Sequence, residues 1–300
     1  MEVGIVSDVG LALEDMAAGI PSTQAAKMKE RREKYIDDIK GWKSQWEAAL
    51  APRRRDRGAP TSMLTVLSAL RAAMPRETIV TVGSGHCQAA VRQGFPVFEP
   101  RTHITSGGFS SMGFAIPAAM AAKVVKPDIP AVAIIGDGDF LMSAHEMATC
   151  VMQNLPVIFL VLNNQGFISI RDGQEALFER QMAAEFSMVG SADEKPYSPD
   201  FLAMAKSFGI GFAERAATMA DLAKVFGNAL AYGGPALIEV PITRDPALAG
   251  AEASGWWDFP PTPDAASEIQ ADYAAGRAAQ QHLGAHTDGV ELKEPLGIYG

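Results

Sequence analysis

The sequence predicts an α/β fold, a doubly wound parallel sheet with helices on both faces. Three observations carry this. Short apolar runs recur at 131–135, 157–162 and 236–240, the last of them (Leu237-Ile238-Glu239-Val240) suited to a buried parallel strand. Amphipathic segments of helical period alternate with such runs from Thr61 to about Arg244. Two of the runs end in polar, glycine-bearing clusters, Gly136-Asp137-Gly138 and Asn163-Asn164-Gln165-Gly166. In open parallel sheets, ligands bind at the carboxyl ends of strands.

The elements follow in order. Residues 1–20 form a first segment in which 2–16 read as a short strand, a turn and an amphipathic helix, too little to fold alone. Residues 21–60 read as a connector. Its charged helix (24–50) sets Trp42 and Trp46 four apart on one face, with Tyr35, Ile39 and Leu50 roughly in register. A basic linker, 51–60, closes it with prolines, and its arginines read as a solvated connector. The main domain spans 61–245. Helices are predicted over 63–74, 112–125, 144–153, 199–208 and 219–231. Strands are predicted over 78–82, ending in Gly83-Ser84-Gly85-His86, and over 131–135, 157–162 and 236–240. Residues 246–300 form a tail with Trp256-Trp257, one helix over about 265–283 and a polar, glycine-rich end. Paired tryptophans need cover, so the tail is expected to lie on the domain or on a neighbour.

Bulk properties exclude several classes. With 300 residues, 48% of them hydrophobic, the chain suffices for one large domain or two small ones. A net charge of −9 argues against a nucleic-acid partner. No apolar run reaches the roughly 18 residues of a membrane span, and the start lacks a signal-peptide layout. Cys87 and Cys150 are the only cysteines. They suit packing and a reducing cytoplasm better than a disulfide framework or a metal site.

Asp137 and Asn164 offer the oxygen atoms that a hard cation such as Mg²⁺ prefers, and the glycines let backbone amides approach a phosphate. The Gly-Asp-Gly cluster, followed about thirty residues later by Asn163-Asn164, resembles the signature of thiamine diphosphate enzymes. The resemblance implies that Mg²⁺ bridges protein and cofactor diphosphate. Asp137, Asn164 and the carbonyl of Gly166 would hold the metal. Gly136 would belong to the same cofactor cradle, and Gly138 and Asp139 would offer amides to the phosphates. The stretch 106–117, Ser-Gly-Gly-Phe-Ser-Ser-Met-Gly-Phe-Ala-Ile-Pro, resembles the acetolactate synthase-like branch. There Met112 would wedge between the cofactor rings, and the Ser110 carbonyl would accept a hydrogen bond from the aminopyrimidine; these two stand nearest the chemistry. Outside the resemblance, Met112 reads as core packing. Gly85 and His86 fall where relatives contact the diphosphate, although a strand-end histidine reads equally well as a satisfied structural group. Glu146 resembles a structural glutamate, while His145 is either exposed or substrate-facing. Phe167, Ile168 and Arg171 fall where relatives build a substrate wall. The tail, Trp256-Trp257-Asp258-Phe259-Pro260 and a charged helix, resembles trihydroxycyclohexanedione hydrolases and some 2-hydroxyacyl-CoA lyases.

In that family the activating glutamate sits on a pyrimidine-binding domain that nothing here matches, and residues 1–20 resemble the last strand and helix of a middle domain. The expectation is a split enzyme. This chain would be its diphosphate-binding subunit, and a second polypeptide would carry the pyrimidine-binding domain in a heterotetramer; a truncated sequence is the alternative. The implied activity is a lyase or carboligase acting on a C–C bond beside a carbonyl. The implied substrates are a 2-oxo acid, a 2-hydroxyacyl-CoA or a diketone. A non-catalytic cofactor-binding or regulatory pseudo-subunit is the competing reading. A nicotinamide-binding domain lacks its G-x-G-x-x-G turn.

Overall fold

The computed structural model describes residues 4–56, 58–187, 196–245, 248 and 261–283. The chain divides into two compact units between Pro52 and Arg53.

The first unit holds α1 (Val9–Ala18) and most of α2 (Ser22–Arg54). Asp8 caps α1, its carboxylate accepting from the Leu11 amide at 3.1 Å. The strand expected just before α1 is absent from residues 4–6, where Ile5 and Val6 stand exposed. An extended segment needs a ladder partner, and these residues have none among those described. Residues 2 and 3 lie outside the described residues. In α2, Tyr35 and Trp42 meet edge to face with centroids 6.2 Å apart. The helix runs past its expected end at residue 50, through Pro52, to Arg54. The start of the expected linker is therefore helical. The helix stops soon after Pro52, in keeping with the amide and the space that proline denies it.

The second unit is built on β1 (Ile79–Val82), β2 (His103–Thr105), β3 (Ala131–Gly136), β4 (Val157–Asn163), β5 (Phe212–Arg215) and β6 (Ala236–Pro241). These form one sheet in the order β2-β1-β3-β4-β6-β5, with every pairing parallel. The apolar runs of β3, β4 and β6 occupy its centre and are buried along almost their whole length. Successive side chains point to opposite faces. Ala133, Ile135, Phe159 and Val161 pack against α5 (Ala115–Val125), α6 (Asp137–Leu141), α7 (Glu146–Met152) and α9 (Phe201–Ser207). Their neighbours Val132, Ile134, Ile158 and Leu160 point the other way and are equally buried. Both faces are thus covered, and each fully buried aliphatic or aromatic side chain contributes about 1.5–3 kcal/mol. The remaining helices among the described residues are α3 (Met63–Ala73), α4 (His86–Gly94), α8 (Ile168–Phe178), α10 (Met219–Tyr232) and, in the tail, α11 (Ser267–Leu283).

The α/β class is as expected, but several elements differ. The helix expected from residue 112 begins at Ala115, leaving Met112 in a turn. Gly113, at φ 79°, gives its amide to the Asp139 carboxylate and breaks the helical path. The helix expected over 144–153 is shorter, and α6 precedes it within the Gly-Asp-Gly cluster. Residues 256–260 lie outside the described residues. Cys87 and Cys150 are free and buried. Among the described residues no helix is long and apolar enough to cross a membrane.

Candidate functional site

The chain leaves β1 toward β2 on one side, whereas β3 lies on its other side. That reversal opens a crevice at the strand tips, here a cleft of about 320 Å³. Every residue expected to hold the cofactor or its metal lines it: Gly85 and His86 from the start of α4, Ser110 and Met112 from the turn before α5, Gly136 to Asp139 from the β3–α6 junction, and Asn164 and Gly166 beyond β4. The β3–β4 register, with Gly136 opposite Leu162, sets the last two groups side by side. Phe167 and Ile168 also line the cleft. Arg171 does not. It is buried and bonded to Asp172 at 2.9 Å, Glu185 at 3.1 Å and the Arg244 carbonyl at 2.7 Å. His145 is exposed, 3.5 Å from Glu146, and lies outside the cleft lining.

Asp137 is only 1% exposed. Its carboxylate accepts from the Gly138 amide at 2.7 Å and the Gly166 amide at 3.1 Å. The Gly138 amide, expected to face a phosphate, is therefore engaged with Asp137. Burial pushes the Asp137 carboxyl up to about 6, and the surrounding amides of Gly138, Gly166, Gln165 and Asn164 only partly oppose it. The folded chain then holds this proton more tightly than the unfolded chain does. Stability from this group is greatest at low pH and falls as pH rises from 3.8 to about 6. His86 and His103 are lowered by burial and act in the opposite sense. The informative quantity is thus the difference between wild type and Asp137→Asn. In EDTA and without cofactor, wild type is expected to gain about 1 kcal/mol more than the variant between pH 7 and pH 5, measured by thermal or urea unfolding.

Asp139 plays a part that the sequence did not reveal. Its carboxylate accepts from the Ser84 amide at 2.6 Å and from the Gly113 amide, joining the β1 tip to the turn that carries Met112. A Cβ on Gly83 would collide with that carboxylate, which explains glycine there. The Ser84 hydroxyl donates to the Ser110 carbonyl. Ser110, at φ 49°, is also held by its hydroxyl to Gln88 at 2.7 Å, and Gln88 in turn reaches Thr105 at 2.7 Å. A carbonyl has two lone pairs, so that of Ser110 retains capacity for a ligand. Met112 is 42% exposed at the cleft.

The cleft suits a polyanion held through a hard cation. A Cβ on Gly136 would meet nothing within 4 Å among the described residues, so the strand tip borders open space. The His86 Nδ1 is buried without a hydrogen-bond partner among the described residues, while its Nε2 lies 3.5 Å from Asp172. Among the described residues no group of three or more His, Cys, Asp or Glu could hold a metal by itself. One carboxylate, one side-chain amide and one carbonyl form an oxygen set that needs further anionic oxygens, as Mg²⁺ sites completed by a substrate's phosphates do. A second cleft, lined by Arg54, Arg71, Arg76 and Phe98 among others, is of a different kind. Arg71 and Arg76 stack on Phe98 at 4.8 and 4.7 Å, and Arg76 pairs with Glu99 at 2.7 Å.

Comparisons with known proteins agree with this geometry. The family described as thiamine pyrophosphate enzyme, C-terminal TPP binding domain, matches residues 83–240. The mitochondrial acetolactate synthase catalytic subunit of Aspergillus candidus is 31% identical over 238 residues, covering 79% of this chain and 32% of that protein. The acetolactate synthase large subunit of Parasynechococcus marenigrum (strain WH8102) is 31% identical over 249 residues, covering 81% and 37%. Acetolactate synthase of Bacillus subtilis (strain 168) is 29% identical over 249 residues, covering 79% and 41%. The chain thus spans between about a third and two fifths of the length of these relatives. Thiamine diphosphate, another name for thiamine pyrophosphate, with Mg²⁺ is the general cofactor of the family. With more than half the chain matched and a crevice of about 320 Å³ at the sheet's switch point, the chain belongs to the thiamine pyrophosphate enzyme family and contains its C-terminal, cofactor-binding domain.

Proposed function

We propose that the crevice binds the diphosphate of thiamine diphosphate through Mg²⁺. Asp137, Asn164 and the Gly166 carbonyl hold the cation, with Gly136, Gly138 and Asp139 around the phosphates. The chain would be the diphosphate-binding subunit of a split enzyme that makes or breaks a C–C bond beside a carbonyl. The observation that carries this reading is the convergence of four separate chain segments on one cleft, each bringing its expected residues.

When bound, the cofactor supplies an electron sink for bond breaking at a carbonyl carbon. The chain's own residues bind and orient. Asp137 contributes one negative charge, and Asn164 and Gly166 contribute neutral oxygens. The cation therefore keeps net positive charge with which to attract the diphosphate. Met112 would pack against the cofactor's rings, the Ser110 carbonyl would accept from its aminopyrimidine, and the His86 imidazole would donate to a phosphate oxygen.

A pyrimidine-binding domain with its activating glutamate is required opposite this cleft. We assign it to a second polypeptide, in a heterotetramer. Exposed apolar side chains in the turn before α5 support a covering protein surface, since Phe109 is 97% and Met112 42% exposed. The named relatives favour an acetolactate synthase-like carboligase acting on 2-oxo acids. The 2-hydroxyacyl-CoA and diketone alternatives, with lyase or hydrolase outcomes, rest on the tail likeness alone. Buried free Cys87 and Cys150 suit a reducing cytoplasm. The competing reading is a non-catalytic pseudo-subunit. Against it stands Asp137, a buried carboxylate whose two amide hydrogen bonds only partly offset the cost of burying it, so that a cation would complete its compensation.

Calorimetric titration of thiamine diphosphate into the chain tests the site. Saturable 1:1 binding is expected with Mg²⁺ and none with EDTA, and turnover is expected only on adding the pyrimidine-binding partner. Binding that ignores Mg²⁺ would remove the proposed site. Full turnover by the chain alone would remove the partner.

A further inference from the structure

We propose that Glu239 is a positioning residue for the cation site. It sets the turn after β4 through Asn163 and touches neither cation nor cofactor. This rests on the reading that Asn164 and Gly166 hold the cation.

Glu239 is a carboxylate in β6, a central and otherwise apolar strand, and it is 2% exposed. Such a group is costly unless fully bonded, and an aliphatic side chain would serve packing better. Its two oxygens face different partners. Oε2 accepts from Arg215 on the neighbouring β5, at 3.0 Å from Nε and 2.9 Å from Nη2. Oε1 accepts from Asn163 Nδ2 at 2.7 Å. A pair needed only for stability would end at Arg215.

The second contact leads to the site. Asn163 Nδ2 also donates to the Ser198 hydroxyl at 2.8 Å, so both its protons are committed. The side-chain oxygen is thereby turned toward the Gln165 amide, which it accepts at 3.1 Å. Gln165 stands between Asn164 and Gly166 and adopts φ 63°, a left-handed conformation that a non-glycine residue keeps only when neighbours hold it. The path from carboxylate to amide to turn thus fixes the backbone that presents Asn164 and the Gly166 carbonyl. Glu239 and Asn163 are 76 residues apart, and only the β4–β6 pairing brings them together.

The test measures thiamine diphosphate binding to the full chain as a function of Mg²⁺ concentration. Glu239→Leu should raise the Mg²⁺ half-saturation at least about tenfold, the scale typical of groups that orient metal ligands. Arg215→Leu should leave it within about threefold, whatever it does to the melting temperature. Glu239→Gln, whose carbonyl oxygen still accepts from Asn163, should restore most of the response. Asn163→Ala should match Glu239→Leu, and the double variant should be no worse than Asn163→Ala alone, since both act on one path. Unchanged Mg²⁺ dependence in folded Glu239→Leu overturns the proposal, as does an equal loss in Arg215→Leu. Should Glu239→Leu fail to fold, the comparison of Glu239→Gln with Asn163→Ala decides: wild-type Mg²⁺ dependence in Asn163→Ala overturns the proposal. Absence of Mg²⁺-dependent binding in wild type would instead refute the underlying site.

Discussion

Replacing Asp137 by alanine is expected to abolish Mg²⁺-dependent retention of thiamine diphosphate while leaving the fold intact. Asp137 is the only carboxylate among the three proposed cation ligands, so its loss leaves the metal with neutral protein oxygens alone. A weakening of at least about 100-fold follows, enough to empty the site at millimolar Mg²⁺. The fold is spared because two effects oppose one another. A carboxyl moved from 3.8 to about 6 costs about 3 kcal/mol to keep ionised in place at neutral pH, and alanine removes that cost. In return the Gly138 and Gly166 amides lose their acceptor, at about 1–3 kcal/mol each if left dry. The cleft is open, so water can meet them, and the melting temperature should move by only a few degrees. Equilibrium dialysis with and without Mg²⁺, alongside circular dichroism melts, checks both halves. Wild-type cofactor affinity and Mg²⁺ dependence in this variant would remove Asp137 from the cation.

Gly166→Ala is expected to damage fold and site together. A Cβ there would lie 2.8 Å from the Ala184 carbonyl oxygen and 2.9 Å from the Glu185 Cα, both backbone atoms. They cannot turn aside as a side chain would, because Gly166 and Glu185 form an antiparallel bridge, closed by the Phe167 amide on the Ala184 carbonyl at 2.7 Å and the Phe186 amide on the Gln165 carbonyl at 2.9 Å. Overpacking of this kind costs about 1–3 kcal/mol, and the displaced carbonyl should lower cofactor affinity at least about tenfold. Gly136→Ala provides the contrast. Its backbone is ordinary, at φ −72° and ψ 159°, and its Cβ would meet no atom of the described residues within 4 Å beyond its neighbours in the chain. Stability should hold within about 0.5 kcal/mol, while the added methyl occupies space beside the proposed phosphates and weakens binding. Urea unfolding and titration of the two variants separate these outcomes. Equal stability in Gly166→Ala and Gly136→Ala would contradict the packing argument.

What the sequence made legible follows from burial. The central strands are apolar because both faces are covered, so Ala131 to Ile135 and Val157 to Leu162 announced themselves, and the polar residues that end them marked the crevice. The edge strands did not. His-Ile-Thr in β2 and Phe-Ala-Glu-Arg in β5 are short and partly exposed, so they carry no apolar run. Helix α6 was hidden because Asp-Gly-Asp has turn chemistry, and only tertiary packing of Phe140 beside Phe201 makes it helical. The side chains proposed as cation ligands were readable as motif members. Their supports were not, since Asn163 with Glu239, Asp139 with Ser84 and Ser110 with Gln88 are joined by topology across long sequence separations.

Asp139 ties the strand tip at Ser84 to the turn at Gly113, and so fastens two walls of one crevice with a single carboxylate. Walls fastened in this way acquire their order during folding, before any ligand arrives. An incoming cofactor meets a rigid seat and surrenders mostly its own freedom, so recognition leans toward a lock that selects its key by shape.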